Sequence, residues 1–284
     1  MGHIKRIYKT ITATLLPGHD PSFLIIGAQK AGTTSLHYYL DQHPQLAGSF
    51  PKEVNFFSRH IHHGKDINWY RQCFTSLTKP NALFFECTPN YMNSESIAQD
   101  IAKHYPRIKL IMVLREPVAR AFSGWNMYRG YSQKQVDRKK ASKKTPQSEN
   151  RVYQHFFNNR ATFPSFSEII ATELEFISKG SADGPFMLRK GLYADQIKSY
   201  YRYFDKDQIL ILGFKDLIRS QAETCNQILQ FLEVDGPPFT HSIRTRNKGE
   251  YADKISEADK IQLQDFYKEP NRQLKELLGR DLNW

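Results

Sequence analysis

Residues Ser22–Leu40 read SFLIIGAQKAGTTSLHYYL, and the way this stretch divides decides the fold. Four apolar residues, Phe23, Leu24, Ile25 and Ile26, have the character of a buried strand. The turn Gly27–Gly32 follows. A helix then opens at Thr33 and Thr34, with Leu36, Tyr39 and Leu40 on one face. A glycine turn feeding a helix N-terminus aims several backbone N–H groups at one point, which suits a phosphate-like anion. Gly27 and Gly32 have the spacing of the triphosphate loop G-x-x-x-x-G-K-[ST], but Thr33 follows the second glycine and the lysine is Lys30, inside the turn. That displacement argues against a nucleoside triphosphate as ligand.

Working outward, Leu83–Phe85, Leu110–Leu114 and Ile209–Leu212 are further short apolar runs, each followed by polar residues. Such runs are expected of a parallel sheet covered on both faces. Helical patterns lie between them: Val118–Met127 after Pro117, Tyr193–Phe204, Ala222–Leu232, Ser256–Tyr267 and Pro270–Leu278, the last stopped by Gly279. The expectation is an α/β single domain with a central parallel sheet flanked by helices and a P-loop-like anion-binding loop. Residues 1–20 read as an N-terminal extension and 21–284 as the domain. Within it, Tyr131–Asn150 carries many lysines and arginines with little apolar content, which reads as a solvated, mobile insertion. A flap gripping a polyanion is the sharper alternative.

The chain has 284 residues, 40% hydrophobic, and a formal net charge of +11. That much apolar material supports a sizeable core, and the charge points to a polyanionic partner or substrate. Nucleic acid, an acidic membrane surface and anionic glycans or nucleotides all fit the charge alone. Cys73, Cys87 and Cys225 form no C-x-x-C pair, so reduced thiols in a cytoplasmic protein are expected. No apolar run approaches the ~20 residues needed to span a bilayer. The first sixteen residues lack a signal-peptide pattern, and Arg6 stands where a myristoylation signal needs Ser or Thr. Peripheral membrane contact through this basic segment is the alternative to a frayed terminus.

Four constellations carry the chemistry. Lys30 lies in a turn ahead of Thr33, Thr34 and Ser35, where an ammonium can reach an oxygen held by N–H groups and hydroxyls. In LIMVLREPVARAFSGW (Leu110–Trp125), Arg115 stands at a strand's carboxyl edge and Ser123 on the next helix, so a second phosphate could be clamped there. The bland alternative is a surface arginine paired weakly with Glu116. In SFPKEVNFFS (Ser49–Ser58), Glu53 precedes two phenylalanines, and a partly shielded carboxylate can act as general base toward a hydroxyl. Finally HSIRTRNKGEY (His241–Tyr251) is a basic loop around Lys248 and Gly249. His60, His62 and His63 have no matching cysteine or carboxylate set, so no metal site is expected.

Taken in this order, IIGAQKAGTTSL, PKEVNFF, LREPVARAFSGW and RNKGEY resemble the sulfotransferases that use 3′-phosphoadenosine 5′-phosphosulfate (PAPS). The heparan-sulfate-type carbohydrate branch is the one they look like. FFECTPNY and RKGLYADQIKSYYRYF are also similar, so the resemblance extends over roughly residues 20–284. It implies that Lys30 contacts the bridging oxygen of the phosphosulfate, with Ala31, Gly32, Thr33, Thr34 and Ser35 holding the 5′ side. It further implies that Arg115 and Ser123 bind the 3′-phosphate, that Lys248 and Gly249 complete the nucleotide site, and that Glu53 is the general base. Lys52 and Asn55 then face the acceptor, a neutral or anionic glycan. The implied product is PAP, and no metal is required. Two departures bear on the acceptor: Asn55 stands where that branch has a histidine, and Cys87 where it often has a lysine.

A lipid or small alcohol is the alternative acceptor. A P-loop kinase needs lysine after Gly32 and a strand-end aspartate for Mg²⁺, and the strand end at Leu114 offers Arg115 instead. A nucleic-acid-binding protein would explain the charge, but a recognisable fold motif and an aromatic-interleaved basic stripe are missing, so nucleic acid is not the favoured partner. Oligomeric state is not legible.

Overall fold

The computed structural model describes residues 16–139, 151–157, 162–240, 254–282 and 284. The strands are β1 (Phe23–Gly27), β2 (Leu46–Gly48), β3 (Leu83–Cys87), β4 (Lys109–Leu114) and β5 (Ile209–Gly213). The helices are α1 (Thr33–Leu40), α2 (Ile67–Arg71), α3 (Glu95–His104), α4 (Pro117–Lys139) and α5 (Arg151–Phe157). They continue with α6 (Phe166–Ser178), α7 (Tyr193–Tyr200), α8 (Phe214–Arg219), α9 (Gln221–Phe231) and α10 (Glu257–Leu278). The sheet order is β2-β3-β1-β4-β5, with every pairing parallel. The expected α/β class with a helix-flanked parallel sheet is therefore borne out. The chain goes to one side of β1 through β2 and β3, then to the other through β4 and β5. Beside β1 the winding direction reverses, the place where open α/β sheets bind ligands.

The molecule divides into two compact units. The first, Met1–Arg115 with Asp195–Lys248 and Trp284, holds the sheet, α1–α3, most of α7, α8 and α9. Its core is the near-continuous apolar content of the strands: Phe23–Ile26 and Leu110–Leu114 are completely buried. That is what two covered faces demand. The C-terminal end of α1 is closed by one lysine, whose Lys79 Nζ donates to the carbonyls of Asp41, His43 and Leu46 at 2.5–2.8 Å. The lysine thus ties the cap residue of α1 to the turn that leads into β2, with its charge near the negative end of the helix.

The second unit, Glu116–Ala194 with Gly249–Asn283, contains α4–α6 and α10 around an aromatic-rich core that includes Trp125, Tyr128, Phe156, Phe166 and Tyr267. Helix α6 begins with a capping box, Ser165 and Glu168 each bonding the other's backbone N–H. The buried Arg120 donates to the Met187 carbonyl, and the buried Glu173 carboxylate accepts from the Met187 and Arg189 N–H groups.

Several boundaries differ from the sequence reading. The segments Ser256–Tyr267 and Pro270–Leu278 form one helix with Pro270 inside it. Leu263, Tyr267 and Leu274 are buried on one stripe that runs through the proline, so packing outweighs the one lost hydrogen bond. Helix α4 does not stop near Met127 but continues to Lys139, so the first part of the basic stretch is helical. Residues 140–150 lie outside the described residues. Helices α2, α3, α5, α6 and α8 and the three-residue strand β2 were not anticipated. His60–His63 forms a short 3₁₀ turn, with the His60 ring 4.8 Å from that of Trp69. No described helix is long and apolar enough to cross a membrane.

Candidate active site

The first unit carries three chemistry-bearing segments that follow strands β1, β4 and β2 of one parallel sheet. After β1 the turn is folded by the Ala28 N–H bonding the Val113 carbonyl at 2.8 Å and the Ala31 N–H bonding the Ala28 carbonyl at 3.1 Å. Lys30 sits in this turn at φ 71° and Gly32 at φ 80°, both left-handed. Gly32 is also the N-cap of α1, and no side chain caps that end. Thr33 and Ser35 are buried, while Thr34 is half-buried. The first-turn N–H groups of α1 and the Lys30 ammonium thus form the cradle expected for a phosphate-like anion.

Arg115 leaves the end of β4 and fixes this turn. Its Nη1 donates to the Lys30 carbonyl at 2.9 Å, and its guanidinium lies 4.8 Å from the centre of the Phe214 ring. The Glu116 carboxylate accepts from the Val118 and Ala119 N–H groups at 2.9 and 2.6 Å and so caps α4. Ser123 is a buried residue on that helix. Burial, and after it the Arg115 charge, lowers the Lys30 ammonium below its ordinary value, while the Glu53 carboxylate opposes the shift.

The same Phe214 ring makes Gly32 sensitive. A Cβ there would stand 2.8 Å from Phe214 Cε2, on a backbone that L-residues avoid. Gly32→Ala is expected to lower stability by about 1–2 kcal/mol in thermal denaturation, and to weaken nucleotide binding because the turn and Arg115 shift together. Undiminished affinity for PAP in this variant would detach the turn from donor binding.

Glu53 lies on the segment between β2 and α2. Its carboxylate is paired with Lys52 Nζ at 3.2 Å, and its side chain is 41% exposed. Glu53 and Asn55 both take positive φ, 46° and 57°. The Asn55 side chain is used within the loop, where Nδ2 donates to the Glu53 carbonyl at 2.9 Å. Val54, Phe56 and Phe57 are buried beneath it. Cys87 is wholly buried at the end of β3, its thiol 3.4 Å from the Thr33 carbonyl and pushed up to about 12, first by burial. Position 87 therefore supports α1 from inside. Lys248 and Gly249 lie outside the described residues.

One residue was missed. Glu86, inside the apolar run LFFEC, is completely buried and holds four donors: the Tyr70, Thr88 and Tyr91 hydroxyls and the Asn55 N–H. A lone glutamate within an apolar strand was the available signal.

The fold is an open parallel sheet whose central strand ends in a glycine turn carrying Lys30. The family described as "Sulfotransferase domain" matches residues 20–264, and this chain belongs to it. It is thus an enzyme of the sulfotransferase class, a family that uses PAPS. The membrane-associated sulfotransferase kil1 of Dictyostelium discoideum is 25% identical over 316 residues, 93% of this chain and 66% of its own. Bifunctional heparan sulfate N-deacetylase/N-sulfotransferase 2 of Homo sapiens is 26% identical over 297 residues, 92% of this chain but 30% of its own. The chain therefore spans about a third to two thirds of the length of these relatives. A crystal structure of a sulfotransferase from Alicyclobacillus acidocaldarius has the same fold, with a TM-score of 0.65 and 24% identity. That match covers 93% of this chain and 97% of the other.

Proposed function

We propose that this enzyme transfers a sulfuryl group from PAPS to a hydroxyl of a carbohydrate, with Glu53 as general base. The observation that carries this reading is the Lys30 ammonium, partly withdrawn from water in the glycine turn and acted on by both Arg115 and Glu53. PAPS supplies an activated sulfuryl group, whose bond to the phosphate oxygen breaks as the acceptor oxygen bonds sulfur, releasing PAP. Lys30 and the N–H groups of Ala31–Ser35 neutralise charge on the departing phosphate. Arg115 and Ser123, with Lys248 and Gly249, are assigned to the nucleotide on the strength of the motif resemblance. Glu53 takes the acceptor's proton, and Lys52 and Asn55 border the acceptor. Because sulfuryl transfer spreads charge over oxygens in line, positioned cations and N–H donors supply most of the catalysis.

The carbohydrate assignment draws support from the heparan-sulfate relatives and from the net charge of +11, which attracts polyanions. Residues 1–20 are assigned to an extension able to touch a membrane surface and 21–284 to the sulfotransferase domain. The buried cysteines 73, 87 and 225 are all free thiols, which suits a reducing, cytoplasmic setting. The test is sulfur-labelled PAPS offered with glycosaminoglycans, bacterial polysaccharides, glycolipids and small alcohols, in EDTA. Label should enter a glycan, and PAP should bind without Mg²⁺. Absence of PAP binding by the wild-type chain would overturn the reading, and label entering only a lipid or small alcohol would overturn the carbohydrate assignment.

A further inference from the structure

The loop that carries Glu53 holds that glutamate in a left-handed conformation it does not favour. Glu53 and Asn55 are both left-handed, and neither is glycine. Something outside the loop must hold it, and the contacts lead to one carboxylate. The Asn55 N–H is 3.2 Å from Glu86 Oε1 and 3.3 Å from Thr88 Oγ1, while the Thr88 hydroxyl itself donates to Glu86. The Phe57 N–H bonds the Tyr91 hydroxyl at 3.2 Å, and that hydroxyl donates to both Glu86 oxygens at 2.9 and 3.1 Å. Two backbone N–H groups of the loop, on either side of Phe56, therefore reach the same buried carboxylate, one directly and one through a tyrosine.

Glu86 is itself fixed from several sides. Tyr70 donates to it, the Thr88 N–H bonds the Ile25 carbonyl at 3.1 Å, and the Tyr91 carbonyl accepts from Tyr200 at 2.7 Å. It stands opposite Leu24 in the β1–β3 register, one strand from the root of the Lys30 turn. A carboxylate is acceptor-only and can take several donors at once, so it can anchor a loop where a hydroxyl or amide could not.

Building on the proposed function, we infer that Glu86 is the positioning residue of the reaction, setting Glu53 against the donor turn by tethering the Asn55 and Phe57 N–H groups to the sheet. It contacts neither donor nor acceptor. Its effect is confined to how well the base is placed, and a misplacement on the scale of an ångström is enough to lower turnover strongly.

The test is a double-mutant cycle measured in turnover. Glu86→Gln is expected to lower kcat at least tenfold in the wild-type background, with PAP affinity unchanged. In the Glu53→Gln background, where no base remains to be placed, adding Glu86→Gln should change the residual kcat less than twofold. Tyr91→Phe removes the Phe57 tether and one of the donors to Glu86 but leaves the carboxylate and the Asn55 contact; it should give a smaller kcat loss with the same non-additivity, and it serves if Glu86→Gln folds poorly. Equal losses in both backgrounds, or an unchanged kcat in the single variants, would overturn the inference while leaving the sulfotransferase reading intact. A wild-type chain that neither binds PAP nor transfers sulfur would remove both.

Discussion

Replacing Lys30 with alanine is expected to lower turnover by about 10²–10³-fold, the loss seen when one preorganised charge-stabilising group is removed from a transition state. The backbone makes this a clean experiment. Lys30 already occupies φ 71°, so alanine meets the same conformational cost and the change isolates the ammonium. The pH dependence gives a second readout. Burial, then Arg115, lowers the Lys30 ammonium from its ordinary 10.5, with Glu53 pulling the other way. The protonated form is the one that stabilises the leaving phosphate. Activity should therefore be present at lower pH and lost as pH rises through a value below 10.5. In Lys30→Ala that alkaline limb should vanish along with most of the rate. An alanine variant turning over at the wild-type rate would remove Lys30 from the chemistry.

Glu53→Gln should abolish most transfer while leaving the donor site whole. Removing a general base costs roughly 10²–10⁴-fold, and glutamine keeps the size of the side chain without its basicity. The pair with Lys52 is partly exposed and worth only about 0–1 kcal/mol, so folding should be unaffected. The measurements are PAP affinity by titration and kcat by label transfer. Unchanged affinity with a collapsed kcat is the expected split, whereas full turnover by the glutamine enzyme would exclude Glu53 as base. A joint loss of affinity and kcat would mean that the carboxylate serves donor binding, through its field on Lys30.

The positions of Lys30 and Arg115, the two proposed donor-site residues nearest the sheet, were legible because each follows directly from a strand end. Lys30 comes after Phe23–Gly27 and Arg115 after Lys109–Leu114, and a short buried run is the most readable pattern in a parallel sheet. Elements built by packing were less visible. Leu46–Gly48 is too short to carry a period, and Pro270 looked like a break because the apolar stripe crossing it outweighs local propensity. Glu86 was hidden for another reason. Its donors come from Tyr70, Thr88, Tyr91 and Asn55, and only a folded chain puts those hydroxyls around a charge that would otherwise end the strand. Cys87 looked like a change near the acceptor, yet alternation along β3 turns it inward against α1.

The strand order also sets how this enzyme can breathe. Only β2 and β5 lie at the edges of the sheet, and both β3 and β4 are hydrogen-bonded to β1. Fluctuations that open a sheet enter at its rims, where a strand is paired on one side alone. The strand that roots Lys30 is the farthest from either rim, and the strands that root Glu86 and Arg115 are the next ones in. The rim strands can loosen before β1 does, so the root of the Lys30 turn outlasts the first softening of the sheet.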